Sequence, residues 1–305
     1  MIPLMTSPRT ATCPVLVAVL AILGTSASVA QHGVEPTLFE PLAAFASGDI
    51  SESSGVAVSR RHPGLLWTHN DSGSDPILYA VDLRGRELGR FLVTGARSVD
   101  WEDIALGPCP DSEEDCLYIG DTGDNGESRS HVSLYILPEP QDIAGTRSAG
   151  ARRVRVSYPD GPKDVEALAV TPAGDVLLTT RGRHGPIRTY HIAKADLGAR
   201  EAQATFWHDL PIEPQMMLGR LVTGAAVSAD GSTFAVRTYT ELYFFRLTDA
   251  PNQIELIGSC WLGLKEPQGE AVDFLDDSTL VFTSEAARGR RGGISRVRCP
   301  LYPGR

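Results

Sequence analysis

A short apolar segment returns five times in this chain, and that repetition limits its fold more than any other feature. "SSGVAVS" (53–59), "WEDIALG" (101–107), "VEALAVT" (165–171), "VTGAAVS" (222–228) and "QGEAVDF" (268–274) all alternate in the manner of a strand and recur about every fifty residues. Ala57, Ala105, Ala169, Ala226 and Asp273 form one column of short side chains. Each copy is followed by a turn and a second run: "LLWTHND", "CLYIGDTGDN", "DVLLTTRG", "STFAVRTY" and "TLVFTSEA". A third run follows ("LYAVDL", "LYILPE", "TYHIAK", "LYFFRL", "ISRVRC"), and a fourth after four of the copies ("ELGRFLVTG", "ARRVRVSYPD", "EAQATFWHDL", "QIELIGSCWL"). These runs are rich in β-branched and aromatic residues, with Gly, Pro, Asp and Asn between them. The chain therefore reads as all-β.

Four strands per unit and five units predict a five-bladed β-propeller with four antiparallel strands per blade. A six-bladed ring needs a further repeat, which the sequence lacks. The fifth unit has no fourth strand of its own, whereas "PTLFEPLAAFAS" (36–47) precedes the first unit. This N-terminal strand is expected to complete blade five, closing the ring and covering an open edge.

The propeller is expected over 31–305, behind a secretory signal at 1–30. Arg9, the apolar "CPVLVAVLAILG" (13–24) and the small residues "SVA" (28–30) supply the three parts of such a signal. An uncleaved N-terminal anchor is the other reading, with no membrane span left after cleavage. Beyond the signal stand Cys109, Cys116, Cys260 and Cys299, an even count that suggests two disulfides in an exported protein. "CPDSEEDC" looks like a stapled loop, leaving Cys260 with Cys299; a four-cysteine zinc site is the rival, without the CxxC spacing such sites use. A net charge of −10 argues against nucleic acid or an anionic membrane as partner. A periplasmic or extracellular monomer is the expectation.

Loops between strands one and two, and three and four, share one face and carry ordinary turn residues. The opposite face collects the unusual polar residues. Ser54, Glu102, Glu166, Thr223 and Glu270 open the five inner strands, so three blades aim a glutamate at the channel rim. Near the exits of the second strands stand Asn70, Asp71, Asp121, Asp124, Arg181, Arg237 and Glu285. Carboxylates with an Asn oxygen suit a hard divalent cation, calcium above all. Arg181, Arg183, Arg220 and Arg237 are the expected grip on an anionic small molecule or ester, or else they neutralise the glutamates. "GDTGDNGE" (120–127) has the composition of a calcium loop without its spacing. His69 is a candidate general base.

"ESSGVAVSRRHPGLLWTHNDSG", "VDWEDIALGP", "LYIGDTGDN" and "VEALAVTP" are similar to segments of a group of secreted bacterial propellers related to the "esterase-like activity of phytase" family. More distantly, a glutamate opening the inner strand resembles gluconolactonase and calcium-dependent phytase propellers, usually six-bladed, where channel-mouth acids hold a divalent metal. The asymmetry of the two faces points to metal-assisted hydrolysis of a phosphate or carboxylic ester or a lactone, with Glu102, Glu166 and Glu270 expected as ligands or acid/base groups and Asp71 and Asp121 assisting. Two other readings stand beside it: a non-catalytic binding scaffold, and a glycoside-processing propeller using paired carboxylates.

Overall fold

The computed structural model describes Met1, residues 37–248 and residues 254–300. Apart from Met1, the segment expected to be a secretory signal lies outside the described residues. The first strand, β1 (Leu38–Ala44), precedes blade I, which is β2 (Ser53–Val58), β3 (Leu65–Asn70), β4 (Ile77–Asp82) and β5 (Glu87–Thr94). Blade II contains β6 (Trp101–Pro108), β7 (Asp115–Asp121) and β8 (Val132–Pro138). After the detour β9 (Gly145–Gly150), it ends with β10 (Arg152–Ser157). Blade III is β11 (Val165–Val170), β12 (Val176–Thr180) and β13 (Arg188–Ile192), then a short β14 (Glu201–Gln203) and β15 (Thr205–Asp209). Blade IV is β16 (Val222–Val227), β17 (Thr233–Thr238), β18 (Glu241–Leu247) and β19 (Ile254–Trp261). Blade V is β20 (Gln268–Phe274), β21 (Leu280–Glu285) and β22 (Gly293–Arg298), closed by β1.

The ring is thus five-bladed, with four antiparallel strands in each blade. Its closure is antiparallel: Leu38 pairs with Arg298 and Ala44 with Gly293. Two strands depart from the repeat. β9 lies parallel to β5 on the outer edge of blade I, and β14 lies parallel to β10 on the outer edge of blade II. "EAQATFWHDL" therefore does not form one fourth strand: its first residues join the preceding blade, and only Thr205–Asp209 complete blade III.

Five apolar clusters hold the blades together, one at each interface. Trp67 and Phe91 meet Ile104 and Leu117 between blades I and II, and Tyr118 and Leu134 meet Leu168 and Tyr190 between II and III. Leu177 meets Phe234 and Phe245, Phe244 meets Phe282 and Val297, and Val281 and Ile294 meet Val56 and Leu66 to complete the circuit. Burying one such phenylalanine contributes about 2 kcal/mol, so the ring is stabilised at every seam. Along the axis the alanine column lets inner strands converge. Ile104, Leu106, Ala169, Ala226 and Val272 leave a void of only about 20 Å³, so the channel mouth is a hollow with a floor.

Both cysteine pairs are bonded, Cys109 with Cys116 and Cys260 with Cys299. The first staples a hairpin loop, and the second ties the end of β19 to the residue after β22 across blades IV and V. No helix among the described residues is long and apolar enough to cross a membrane.

Candidate functional site

Each inner strand breaks register with its neighbour at one place. The shifts fall between Ser53 and Gly55, Trp101 and Asp103, Val165 and Ala167, Val222 and Gly224, and Gly269 and Val272. The residue skipped is Ser54, Glu102, Glu166 or Thr223, and in the last strand Glu270 with Ala271. A β-bulge leaves its extra residue out of the ladder and re-aims the side chain. The column seen in the sequence is therefore a ring of five bulges at the channel mouth.

Two of these bulges frame an acidic cluster between blades I and II. Asp71, Asp100 and Glu102 each place a carboxylate oxygen within 4.8 Å of the others. Asp71 is the first residue past β3, its main-chain N–H bound to the carbonyl of Glu52 at 2.9 Å. Asp100 directly precedes β6 and donates its N–H to Asp121 Oδ1 at 3.2 Å. Gly123, from the "GDTGDN" loop, covers the cluster so closely that a Cβ there would run into Glu102 Oε1 and come within 2.5 Å of Asp100 Oδ2. Only glycine lets the loop backbone approach this far. The group is charged, half-buried and crowded, which suits a hard cation with oxygen ligands.

Without a cation, burial and mutual repulsion raise the proton affinity of these acids. Burial, then the charge of Asp71, lifts Asp100 to about 6. Burial, with Glu166, Asp71 and Asp100 nearby, pushes Glu102 well above the usual carboxylate range. Glu166 rises to about 8 through burial, opposed by the guanidinium of Arg181 and by a hydrogen bond with Glu102. Arg181, first residue past β12, forms an ion pair with Glu166 and donates Nη2 to the Tyr239 hydroxyl at 2.9 Å. On blade V, Gln268 donates Nε2 to Glu270 Oε1 at 2.9 Å and to Glu285 Oε2 at 2.5 Å. Burial lifts Glu285 to about 7, and Glu270 is driven well up by burial and the neighbouring Glu285.

The site thus unites Asp71, Glu102, Glu166, Arg181, Glu270 and Glu285. Other expected residues lie elsewhere, for one geometric reason. His69 and Arg237 are the penultimate residues of β3 and β17, each opposite an inner-strand glycine, Gly55 or Gly224. That register faces the seam with the next blade rather than the mouth. His69 is fully buried edge-on to Trp101, with Nδ1 on the carbonyl of Asn70 at 3.0 Å, and burial lowers it to about 4. The ring is neutral and enclosed, which removes it as a general base for a ligand at the mouth. Arg237, also fully buried, pairs with Glu266, donates to the carbonyl of Ala271 at 2.6 Å and lies over the Phe282 ring. It has no free fork for an anion.

Asn70 spends both amide ends on the 49–52 loop, donating to the carbonyl of Asp49 at 2.7 Å and accepting from Glu52 N at 3.1 Å. Asp121 pairs with Arg129 at 2.8 Å, and Asp124 accepts from Ser128 N at 2.7 Å and Arg129 N at 2.6 Å. Both aspartates therefore shape the loop that carries Gly123. Arg183 reaches Asn125, and Arg220 pairs with Glu241 at 2.6 Å. Gly123, Tyr239 and Gln268 carry no mark as site residues in the sequence, and Asp100 ranks there below Glu102. Two had a signal: Asp100 lies two residues before Glu102, the spacing of one strand face, and Tyr239 holds the position past the second strand that Asp71 and Arg181 hold.

Fold and site together define a five-bladed β-propeller with an acidic, floored channel mouth. No protein-family model matches the chain, and no curated protein matches it. Among solved structures it is similar to the PQQ-bound aldose sugar dehydrogenase of Streptomyces coelicolor, 14% identical with a TM-score of 0.47 over 86% of this chain and 98% of that one. It is also similar to a Thermus thermophilus protein assigned as an oxidoreductase (glucose dehydrogenase), 12% identical with a TM-score of 0.48 over 86% and 99% of the two chains. The fold assignment rests on the blade topology itself.

Proposed function

We propose that this is an exported, monomeric propeller enzyme that binds a divalent cation, calcium foremost, at Asp71, Asp100 and Glu102, and hydrolyses an ester of a small anionic molecule. The observation that carries the reading is the convergence of three carboxylates under the backbone of Gly123. The segments similar to the "esterase-like activity of phytase" group supply this constellation: "HNDSG" holds Asp71, "VDWED" holds Asp100 and Glu102, and "GDTGDN" holds Gly123. A bound cation supplies polarisation of an ester oxygen and neutralises the cluster. Glu166, close to Glu102 and steadied by Arg181, stands where a proton is taken from water or given to a leaving group. Tyr239 and Arg181 present the polar wall beside it.

Calorimetric titration of calcium, magnesium and manganese into chelator-stripped protein tests the site. Binding of one cation, lost in Asp71→Asn, Asp100→Asn and Glu102→Gln, is expected. Hydrolysis of p-nitrophenyl phosphate, p-nitrophenyl acetate or a lactone should then fall with chelator and in Glu166→Gln. Undiminished cation binding in all three variants would falsify the metal assignment. Cation binding without turnover on any of these substrates would leave the scaffold reading in place of the enzyme.

A further inference from the structure

A cleft of about 520 Å³ opens beside the acidic mouth, between the loops leading into β16 and β20. Its lining is unlike the rest of this polar face. Met216, Met217, Leu218, Trp261 and Leu264 are 65%, 96%, 50%, 59% and 69% exposed. Large apolar side chains grouped around one concavity mark a binding surface rather than scattered surface residues.

Their exposure is imposed by the fold. Met216–Leu218 form a single 3-10 turn ending at Gly219, whose φ of 70° takes the left-handed conformation that glycine tolerates. The hairpin base is held by Gln215 and Arg220, hydrogen-bonded to each other through their backbones. Thr240 Oγ1 donates to the carbonyl of Leu218 at 2.8 Å, and Arg220 pairs with Glu241. The turn is thus tied down while its apolar side chains point to solvent.

Two residues of the cleft wall also belong to the acidic mouth. Tyr239 accepts from Arg181, and Gln268 bridges Glu270 and Glu285. The cleft and the mouth share these two wall residues, and the cleft has the volume of a small-molecule site with few polar groups on an apolar lining. We infer that this cleft is the subsite for the apolar part of the substrate. The natural ligand is an amphiphile, with an oxyanion head at the carboxylate cluster and an aryl or acyl body lying along Trp261, Leu264 and the Met216–Leu218 turn. This assignment rests on the cation-binding reading and specifies its substrate class.

The test is titration of acetate and of 4-phenylbutyrate into calcium-loaded protein, with Met217→Ser, Leu264→Ser and Trp261→Ala alongside. The expected preference for phenylbutyrate is roughly tenfold or more, from burial of a phenyl group, falling to near parity in the variants while calcium affinity stays unchanged. Equal affinity for the two anions in protein that binds calcium would overturn the subsite and leave the metal site standing. Failure to bind calcium overturns the reading beneath it. Sedimentation with phosphatidylcholine vesicles gives a third outcome: wild-type binding that the variants lose makes the rim a lipid-docking surface and overturns the small-molecule assignment.

Discussion

Gly123 shows how a site depends on a residue with no chemistry of its own. It brings the "GDTGDN" backbone against Asp100 and Glu102, in a space where a methyl group meets both carboxylates. Gly123→Ala is expected to push those side chains apart and weaken calcium binding about tenfold or more, a loss of about 1.4 kcal/mol. The thermal midpoint should change little, since the atoms that must yield are the far ends of side chains. Gly126→Ala is the matched control, because nothing but Ser128 Oγ at 3.8 Å approaches its Cβ position. Isothermal titration of both variants separates the two; equal affinities would deny Gly123 its role. Glu102, Glu166 and Glu270 were legible in the sequence because the repeat aligned them. Asp100 shares its register, two residues before the bulge, with Glu52, Asp164 and Gln268, but its place in the cluster, like that of Gly123, depends on contacts distant along the chain.

Among the elements, the inner strands carry a second polar device one residue beyond the bulge. Asp103 is fully buried, and its carboxylate accepts from Ile104 N at 2.8 Å, Leu168 N at 2.9 Å and Ala225 N at 3.3 Å. One side chain of β6 thereby fastens β11 and β16, strands of two other blades. Removing it strands buried N–H groups at about 1–3 kcal/mol each. Asp103→Ala should lower unfolding free energy in urea by about 3 kcal/mol or more. Asp103→Asn should recover only part of that, because its NH2 turns a donor toward a donor. If alanine costs less than asparagine, this bonding scheme is wrong. The strand repeat was readable through its alternation and its turns, but β9 and β14 were not. "GTRSAG" has no apolar face and is almost wholly exposed, and β14 is three residues long. Both join their sheets mainly through backbone bonds, with only Ala149, Ala202 and the Arg155–Glu201 ion pair adding side-chain contacts, too few to leave a pattern in the sequence.

For the whole molecule, the carboxylate ring makes stability depend on pH and on cations together. Asp100, Glu166 and Glu285 titrate near 6, 8 and 7 in the folded protein, above the ordinary carboxylate range. The folded state therefore holds more protons than the unfolded one between roughly pH 4 and 8, and stability falls as pH rises through that window. In chelator the thermal midpoint should drop between pH 5 and pH 8, on the order of 5 °C for a chain of this size. Saturating calcium replaces the protons and should flatten the profile. A midpoint that climbs with pH in chelator would show that the ring is already neutralised within the protein.

The two parallel edge strands give the outer rim a direction. Chain that has begun blade II returns to cover blade I with β9, and chain that has begun blade III returns to cover blade II with β14. The blades overlap like shingles, each later course lapping the one before. During synthesis from the N-terminus, blade I keeps a bare edge until residue 150 has emerged, and β1 waits for β22 near residue 298. The polypeptide passes most of its synthesis with unpaired edges, the condition in which strands recruit foreign partners. A protein laid down in this order gains from keeping its early blades unfolded until β9, β14 and β22 have been made to cover them.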